Sequence, residues 1–316
     1  MSKNWTDEGI AKLTGLRLEG RTWEEVANEL EVSPNCARKA FYRYCRDDAE
    51  PKGRKLAPKI LILDIETAPI EAYVWGLFDQ NIGLDMVKTH TTVLSWSAKW
   101  RGDDKVMYRD LRNSKDVRDD KELVRIIRDL LDEADVVVTQ NGKKFDIKKL
   151  NYRFVQHGLT PPSTFKHIDT LQIARSKFGF DSNKLAHLTA TLCTKHKKLA
   201  HAKFPGFMLW KECLKGNLEA WKEMQQYNEV DVLSLEELYF NHFMAWDDST
   251  NFSTYSDSFK FRCNCGNDEL TLLKGKYHTT KKSRFQLYRC SNPTCSKIHR
   301  DSQNLFSKER RSELKV

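Results

Sequence analysis

The segment Ile60-Leu61-Ile62-Leu63-Asp64-Ile65-Glu66 constrains this chain more than any other: a continuous apolar run that carries two carboxylates near its end. A short unbroken apolar run reads as a strand buried on both faces, the kind found inside an α/β sheet. Side chains two apart on a strand share a face, so Asp64 and Glu66 point the same way. Burying two carboxylates side by side costs several kcal/mol unless positive charge offsets it, and a divalent cation does so most directly. Taken alone, the pair fits a solvated strand end equally well.

Further strands are expected over residues 92–100, 105–111 and 136–139, with helices over 120–133, 145–157 and 218–245. This pattern predicts an α/β domain over 58–247, a mixed sheet flanked by helices. Residues 1–48 read as three short helices. Trp5, Ile10, Leu13 and Leu16 recur at helical spacing before Gly20, Thr22 and Glu25 form a capping box, and Ser33-Pro34 opens the third helix. That helix carries Arg38, Lys39, Tyr42, Arg43 and Arg46. The layout resembles the Myb-like or homeodomain-like helix-turn-helix class, which implies nucleic-acid contacts at Arg38, Lys39 and Arg43; a packing or protein-docking module is the competing reading. The polar stretch 49–57 reads as a linker.

Two more acidic motifs follow the Asp64/Glu66 pair. Asn141-Gly142-Lys143-Lys144-Phe145-Asp146 leaves a buried-type strand and opens a helix, and Tyr227 and Asp231 lie four apart on one helix face. Order and spacing together resemble the three Exo motifs of the DEDD, or DnaQ-like, exonucleases of the ribonuclease H-like fold, over roughly residues 59–247. The DEDDh branch has histidine five before the last aspartate, where this chain has Gln226; Tyr227 stands where the DEDDy branch has tyrosine. The segment 204–239 is similar to stand-alone phage exonucleases of that branch. The resemblance implies two Mg²⁺ or Mn²⁺ ions held by Asp64, Glu66, Asp146 and Asp231, with Tyr227 positioning water. It further implies substrate contacts at Thr67, Asn141 and Phe145, 3′→5′ direction, release of nucleoside 5′-monophosphates, and residence in a bacterial or phage-infected cytoplasm. Asp169 resembles a recurrent family aspartate and is expected to be structural. Trp96 and Trp100 are expected in the core, and the spacing of His187, His196 and His201 fits no metal motif.

Of the eight cysteines, Cys36, Cys45, Cys193 and Cys213 are scattered singly, whereas Cys263/Cys265 and Cys290/Cys295 form two pairs. Two pairs on turns across a short β-rich span read as a zinc ribbon over 259–300 with one structural Zn²⁺, although neither pair keeps the usual Cys-x-x-Cys spacing. His278 or His299 is the alternative ligand. Between Lys260 and Arg300, ten basic residues face only Asp268 and Glu269, which places +8 of the chain's +9 charge there. Such a surface suits a polyanion, with Lys281, Lys282 and Arg284 as candidate phosphate contacts and Tyr277, Phe285 and Tyr288 beside them. The charged tail 301–316 is expected to be disordered. No apolar run approaches the ~18–20 residues of a membrane span, and the first residues lack a secretory signal. These features favour a nucleic-acid enzyme, with DNA preferred over RNA because helix-turn-helix modules usually bind duplex DNA. The rival readings are a catalytically inactive nuclease-fold DNA-binding protein and a helix-turn-helix transcription regulator.

Overall fold

The computed structural model describes residues 5–19, 21–44, 58–197, 203–256 and 261–314. It divides into two compact units, Pro58–Thr250 and a second comprising Met1–Ala57 with Asn251–Val316. The expected linker 49–57 and His201 lie outside the described residues.

The chain opens with helices α1 (Asp7–Leu18), α2 (Trp23–Glu29) and α3 (Pro34–Tyr44). Thr6 caps α1, Thr22 and Glu25 form the reciprocal capping box of α2, and the Ser33 hydroxyl accepts the Cys36 N–H at the start of α3. The three helices bury Leu13, Val26, Leu30, Ala37, Ala40 and Phe41 against one another. Arg38 and Lys39 project from α3 into solvent. The side chain of Arg43 is not among those described.

In the larger unit, β1 (Ile60–Thr67) leads into the short strands β2 (Glu71–Ala72) and β3 (Val87–Thr89). Then come β4 (Val93–Trp100), β5 (Met107–Asp110), α4 (Lys121–Glu133), β6 (Val136–Thr139), α5 (Asp146–Gln156), β7 (Lys166–Asp169) and α6 (Thr170–Lys177). Helices α7 (Leu185–Leu192), α8 (Met208–Leu214) and α9 (Leu218–Glu237) complete the unit. The five-stranded sheet has the order β5-β4-β1-β6-β7, antiparallel from β5 to β1 and parallel from β1 to β7. This is a ribonuclease H-like mixed sheet flanked by helices. β1 is central, and its first four residues are buried, as a strand covered on both faces must be. Leu61, Leu63 and Ile65 join a core with Leu123, Val124, Ile127 and Leu131 of α4 and Leu150 and Phe154 of α5. The alternate face, bearing Asp64 and Glu66, meets α9. Trp96 is buried, its indole N–H donating to the Leu123 carbonyl at 3.0 Å, and Trp100 packs at the edge of the same core. The expected helix over 218–245 is regular only to Glu237 and continues as a π turn over Leu238–Phe243.

After this unit come β8 (Leu270–Thr279), β9 (Arg284–Cys290), β10 (Ile298–Asn304) and α10 (Lys308–Glu313), the strands forming a three-stranded antiparallel sheet. Order in 301–314 corrects the expected disordered tail. Its stabilisation comes from backbone pairing of β10 with β9 and from the Ser307 cap on α10, neither of which needs the apolar periodicity that the tail lacks. Among the described residues, no helix is long and apolar enough to cross a membrane.

Candidate active site

The parallel ladder between β1 and β6 ends at Ile62 and Val138, while β1 runs on beside β4 to Thr67. The space beyond the end of β6 is the crevice in which open α/β sheets bind ligands. Asp64 and Glu66 reach this region half-buried, and the register slips by a bulge between Glu66 and Thr67. The Asp146 carboxylate fills the gap left by the ended ladder, its Oδ1 accepting the Ile65 N–H at 3.2 Å.

A strained turn delivers Asp146 there. Asn141 has φ 67°, in the left-handed region that costs a non-glycine residue energy. A Cβ on Gly142 would lie 2.2 Å from the Thr139 hydroxyl, so only glycine fits. Asp169 holds the turn closed, accepting the N–H groups of Asn141 at 2.9 Å and Lys143 at 3.2 Å while capping α6 through Leu171. Its role is structural, as the sequence led us to expect. Phe145, at the end of the turn, is 36% exposed and so is no core residue.

From the other side, α9 brings Asp231. The ligand oxygens of Asp64, Glu66 and Asp231 all lie within 4.8 Å of one another, and Asp231 is buried. Tyr227 is half-buried one turn earlier on the same helix, its ring edge-on to Trp210 with centroids 6.3 Å apart. Burial raises the Asp146 carboxyl to about 7, with a further push from Asp169, against the opposing pull of the N–H groups of Asp146 and Ile65. Asp64, Glu66 and Asp231 make a hard oxygen cluster, the donor set of Mg²⁺ or Mn²⁺, while Asp146 is fastened to the backbone between the first two and stands outside that 4.8 Å grouping.

Three supporting groups escaped the sequence reading. Asn228 donates its amide to Asp64 Oδ2 at 2.6 Å and is itself met by the Ser95 hydroxyl. The Trp210 indole donates to Glu66 at 3.1 Å. Deep in the core, Asp120 accepts two bonds from Arg153, at 2.8 and 2.5 Å, and the Val93 N–H at 2.7 Å, with His157 2.7 Å away. That network locks α5, and with it Asp146, to the start of β4. Asn228 could have been suspected from the buried stripe Trp221, Met224, Asn228 and Asp231 on α9. The other contacts leave no local signal.

Beside Asn141 an open cavity of about 450 Å³ is lined by Gln140, Leu171, Arg175 and Asn183–Ala186. A second grouping of ligand-type residues, Cys193, Glu237 and His242, is better explained as structure. The Glu237 oxygens already accept the N–H groups of Thr194, Lys195 and His196. Burial alone would raise that carboxyl, but these bonds hold it near about 2.

In the smaller unit, Cys263, Cys265, Cys290 and Cys295 cluster with their sulfurs within 4.8 Å of one another, and none is in a disulfide. His299 Nε2 lies 3.0 Å from Cys263 Sγ, whereas His278 pairs with Phe285. Lys281 and Lys282 sit on the turn between β8 and β9. Arg284 lies over Tyr277, Arg300 over Phe285, and Phe261 meets Tyr288 edge-on.

A family model for the RNase_H superfamily matches residues 61–242, from β1 to just past α9. The chain belongs to the RNase_H superfamily. All four carboxylates fall inside the matched RNase_H span, and the superfamily's nucleases are typically metal-dependent hydrolases of nucleic acid. Among solved structures, the family B DNA polymerase from the hyperthermophilic archaeon Pyrobaculum calidifontis is similar over 75% of this chain and 34% of that one, at 13% identity and a TM-score of 0.42. This RNase_H chain thus spans about a third of that polymerase's length. No curated protein matches it.

Proposed function

We propose that this chain is a two-metal-ion 3′→5′ exonuclease of the DEDDy type, akin to stand-alone phage exonucleases, that releases nucleoside 5′-monophosphates from DNA. The observation that carries this reading is the convergence of Asp64, Glu66 and Asp231 within 4.8 Å, with Asp146 bonded to the backbone between the first two. Two divalent cations in that cluster would stabilise charge on the phosphoryl and leaving oxygens of a phosphodiester. The chain's own groups do the rest. Asn228 and Trp210 fix the rotamers of Asp64 and Glu66, and the Arg153–Asp120 network fixes the helix that starts at Asp146. The Tyr227 hydroxyl orients the attacking water; phenols ordinarily titrate near ~10, too high for a good base at neutral pH. Thr67, directly after Glu66, and Asn141 and Phe145, in the turn that leads to Asp146, are read as receiving the terminal nucleotides. Arg175 and Lys184 beside Asn141 suit the phosphates upstream.

The flanking modules are read as grips. The three N-terminal helices are read as a helix-turn-helix with Arg38 and Lys39 exposed on its third helix and Arg43 further along the same helix, which favours DNA over RNA. The three-stranded sheet is a zinc ribbon. Sulfur separations of 3.5 Å for Cys263–Cys295 and 3.6 Å for Cys265–Cys290 fit a tetrahedral Zn²⁺ site, whose edges are ~3.8 Å for Zn–S bonds of ~2.3 Å. With zinc held by the four cysteines, His299, 3.0 Å from Cys263 Sγ, would support that thiolate rather than replace it, and Lys281, Lys282 and Arg284 are read as phosphate contacts. This activity belongs in a bacterial or phage-infected cytoplasm.

Digestion of 5′-labelled single-stranded DNA, duplex DNA and RNA in parallel tests the proposal. Stepwise shortening from the 3′ end, dependent on Mg²⁺ or Mn²⁺ and lost in Asp64→Ala, is expected. Binding of DNA without any metal-dependent cleavage would overturn it in favour of an inactive nuclease fold or a regulator.

A further inference from the structure

Between β1 and β4 the chain makes a long hairpin whose base is firmly held. The Ala68 N–H donates to the Thr92 carbonyl at 2.8 Å, and the Thr91 hydroxyl donates to the Ala68 carbonyl at 2.8 Å. Arg118 bonds the Pro69 and His90 carbonyls, both at 3.1 Å, and pairs with Glu71. β2 and β3 pair above this clamp, and the Tyr73 N–H closes it on the Met86 carbonyl at 2.9 Å. Beyond it the side chains are apolar yet stand in solvent: Trp75 is 97% exposed, Leu77 89%, Leu84 85%, Phe78 83% and Tyr73 69%. Large apolar side chains gathered on one exposed element mark a surface that meets something.

Its place and its charge indicate what. The hairpin springs from the residue after Thr67, so its base is at the end of the strand that bears Asp64 and Glu66. Residues 70–86 contain Glu71, Asp79 and Asp85 but no lysine or arginine, so this element repels phosphates and offers flat rings instead. Aromatic rings stack on bases whatever their identity, and apolar side chains can wedge between base steps and unstack them. We propose that the hairpin tip, through Trp75 and Phe78, is a stacking platform for the unpaired bases of the strand whose 3′ end enters the carboxylate site. This inference rests on the nuclease reading and adds the element that holds the strand open.

The test uses the full chain with Trp75→Ala/Phe78→Ala, made both alone and on Asp64→Ala, with sedimentation as a check on assembly. Binding of a fluorescent single-stranded oligonucleotide to the Asp64→Ala proteins is followed by anisotropy over a range of salt. Affinity is expected to fall at least about tenfold, since stacking is worth ~1–3 kcal/mol per base, and Trp75→Phe/Phe78→Tyr is expected to restore most of it. The slope of affinity against salt is expected to stay unchanged because no phosphate contact is lost. On the catalytically intact background, the p-nitrophenyl ester of thymidine 5′-monophosphate has no second base to stack, so its hydrolysis should be unaffected while KM for the oligonucleotide rises. Unchanged oligonucleotide affinity would overturn the platform, as would a wild-type dimer that the double substitution converts to monomer. If the wild type cleaves neither substrate, the nuclease reading fails, and the binding arm still decides the platform.

Discussion

Replacing Asp146 with asparagine separates catalysis from stability in a way that follows from burial. Asp146 is 3% exposed, and its carboxyl is raised from the ordinary 3.8 to about 7, chiefly by burial. Between those values the native state holds a proton that the unfolded chain has lost, so stability falls as pH rises through the window. Above it the folded protein carries a buried charge that costs on the order of 4 kcal/mol at ~1.4 kcal/mol per pH unit. Asparagine removes that charge and keeps an oxygen to accept the Ile65 N–H, though a weaker one, so a gain of roughly 2–4 kcal/mol is expected. For a unit of this size that corresponds to a Tm about 4–16 °C higher. Scanning calorimetry in chelator at about pH 8 and about pH 4, on either side of the window, should show the variant more stable at the higher pH and level with wild type at the lower. Added Mg²⁺ should then raise the wild-type Tm by more than that of the variant, which keeps Asp64, Glu66 and Asp231. A variant no more stable than wild type at the higher pH, or equal Mg²⁺ stabilisation of both, would refute the reasoning.

Three further substitutions follow from the contacts around the site. Asn228→Ala removes the amide that Asp64 accepts and should lower activity and Mn²⁺ affinity about 10–100-fold, with a stability loss of about 1–3 kcal/mol because the buried Ser95 hydroxyl loses its acceptor, measured by kinetics, Mn²⁺ titration and chemical denaturation. Arg153→Ala leaves Asp120 charged at 0% exposure, so chemical denaturation should report a loss of about 3–5 kcal/mol, far beyond that of an exposed control such as Arg125→Ala. Cys290→Ser should abolish stoichiometric zinc by metal analysis and expose the three-stranded sheet to proteolysis, while leaving hydrolysis of a mononucleotide ester intact.

What could be read in advance was whatever geometry short-range spacing encodes. Asp64 and Glu66 share a face because strand side chains alternate, and Tyr227 and Asp231 share one because four residues make about a helical turn. The turn from Asn141 to Asp146 announced itself through a buried strand that stops at an Asn-Gly pair. The contacts that hold these groups were silent. Asn228 meets Asp64 from a distant part of the chain, Trp210 does the same for Glu66, and Arg153 finds Asp120 only once α5 packs beside α4; no periodicity records such pairings. The tail misled for the opposite reason: β10 is pinned by backbone bonds to β9, so its charged side chains need no core. The segment 70–86 passed unremarked because its apolar composition looks like interior, whereas its side chains stand in solvent.

The most direct measurement is anomalous diffraction from crystals grown with Mn²⁺. Two peaks are predicted, both against Asp64, one shared with Glu66 and the other reached by Asp146 or Asp231. Peaks confined to other surfaces, with the space among the four carboxylates filled only by solvent, would contradict the account.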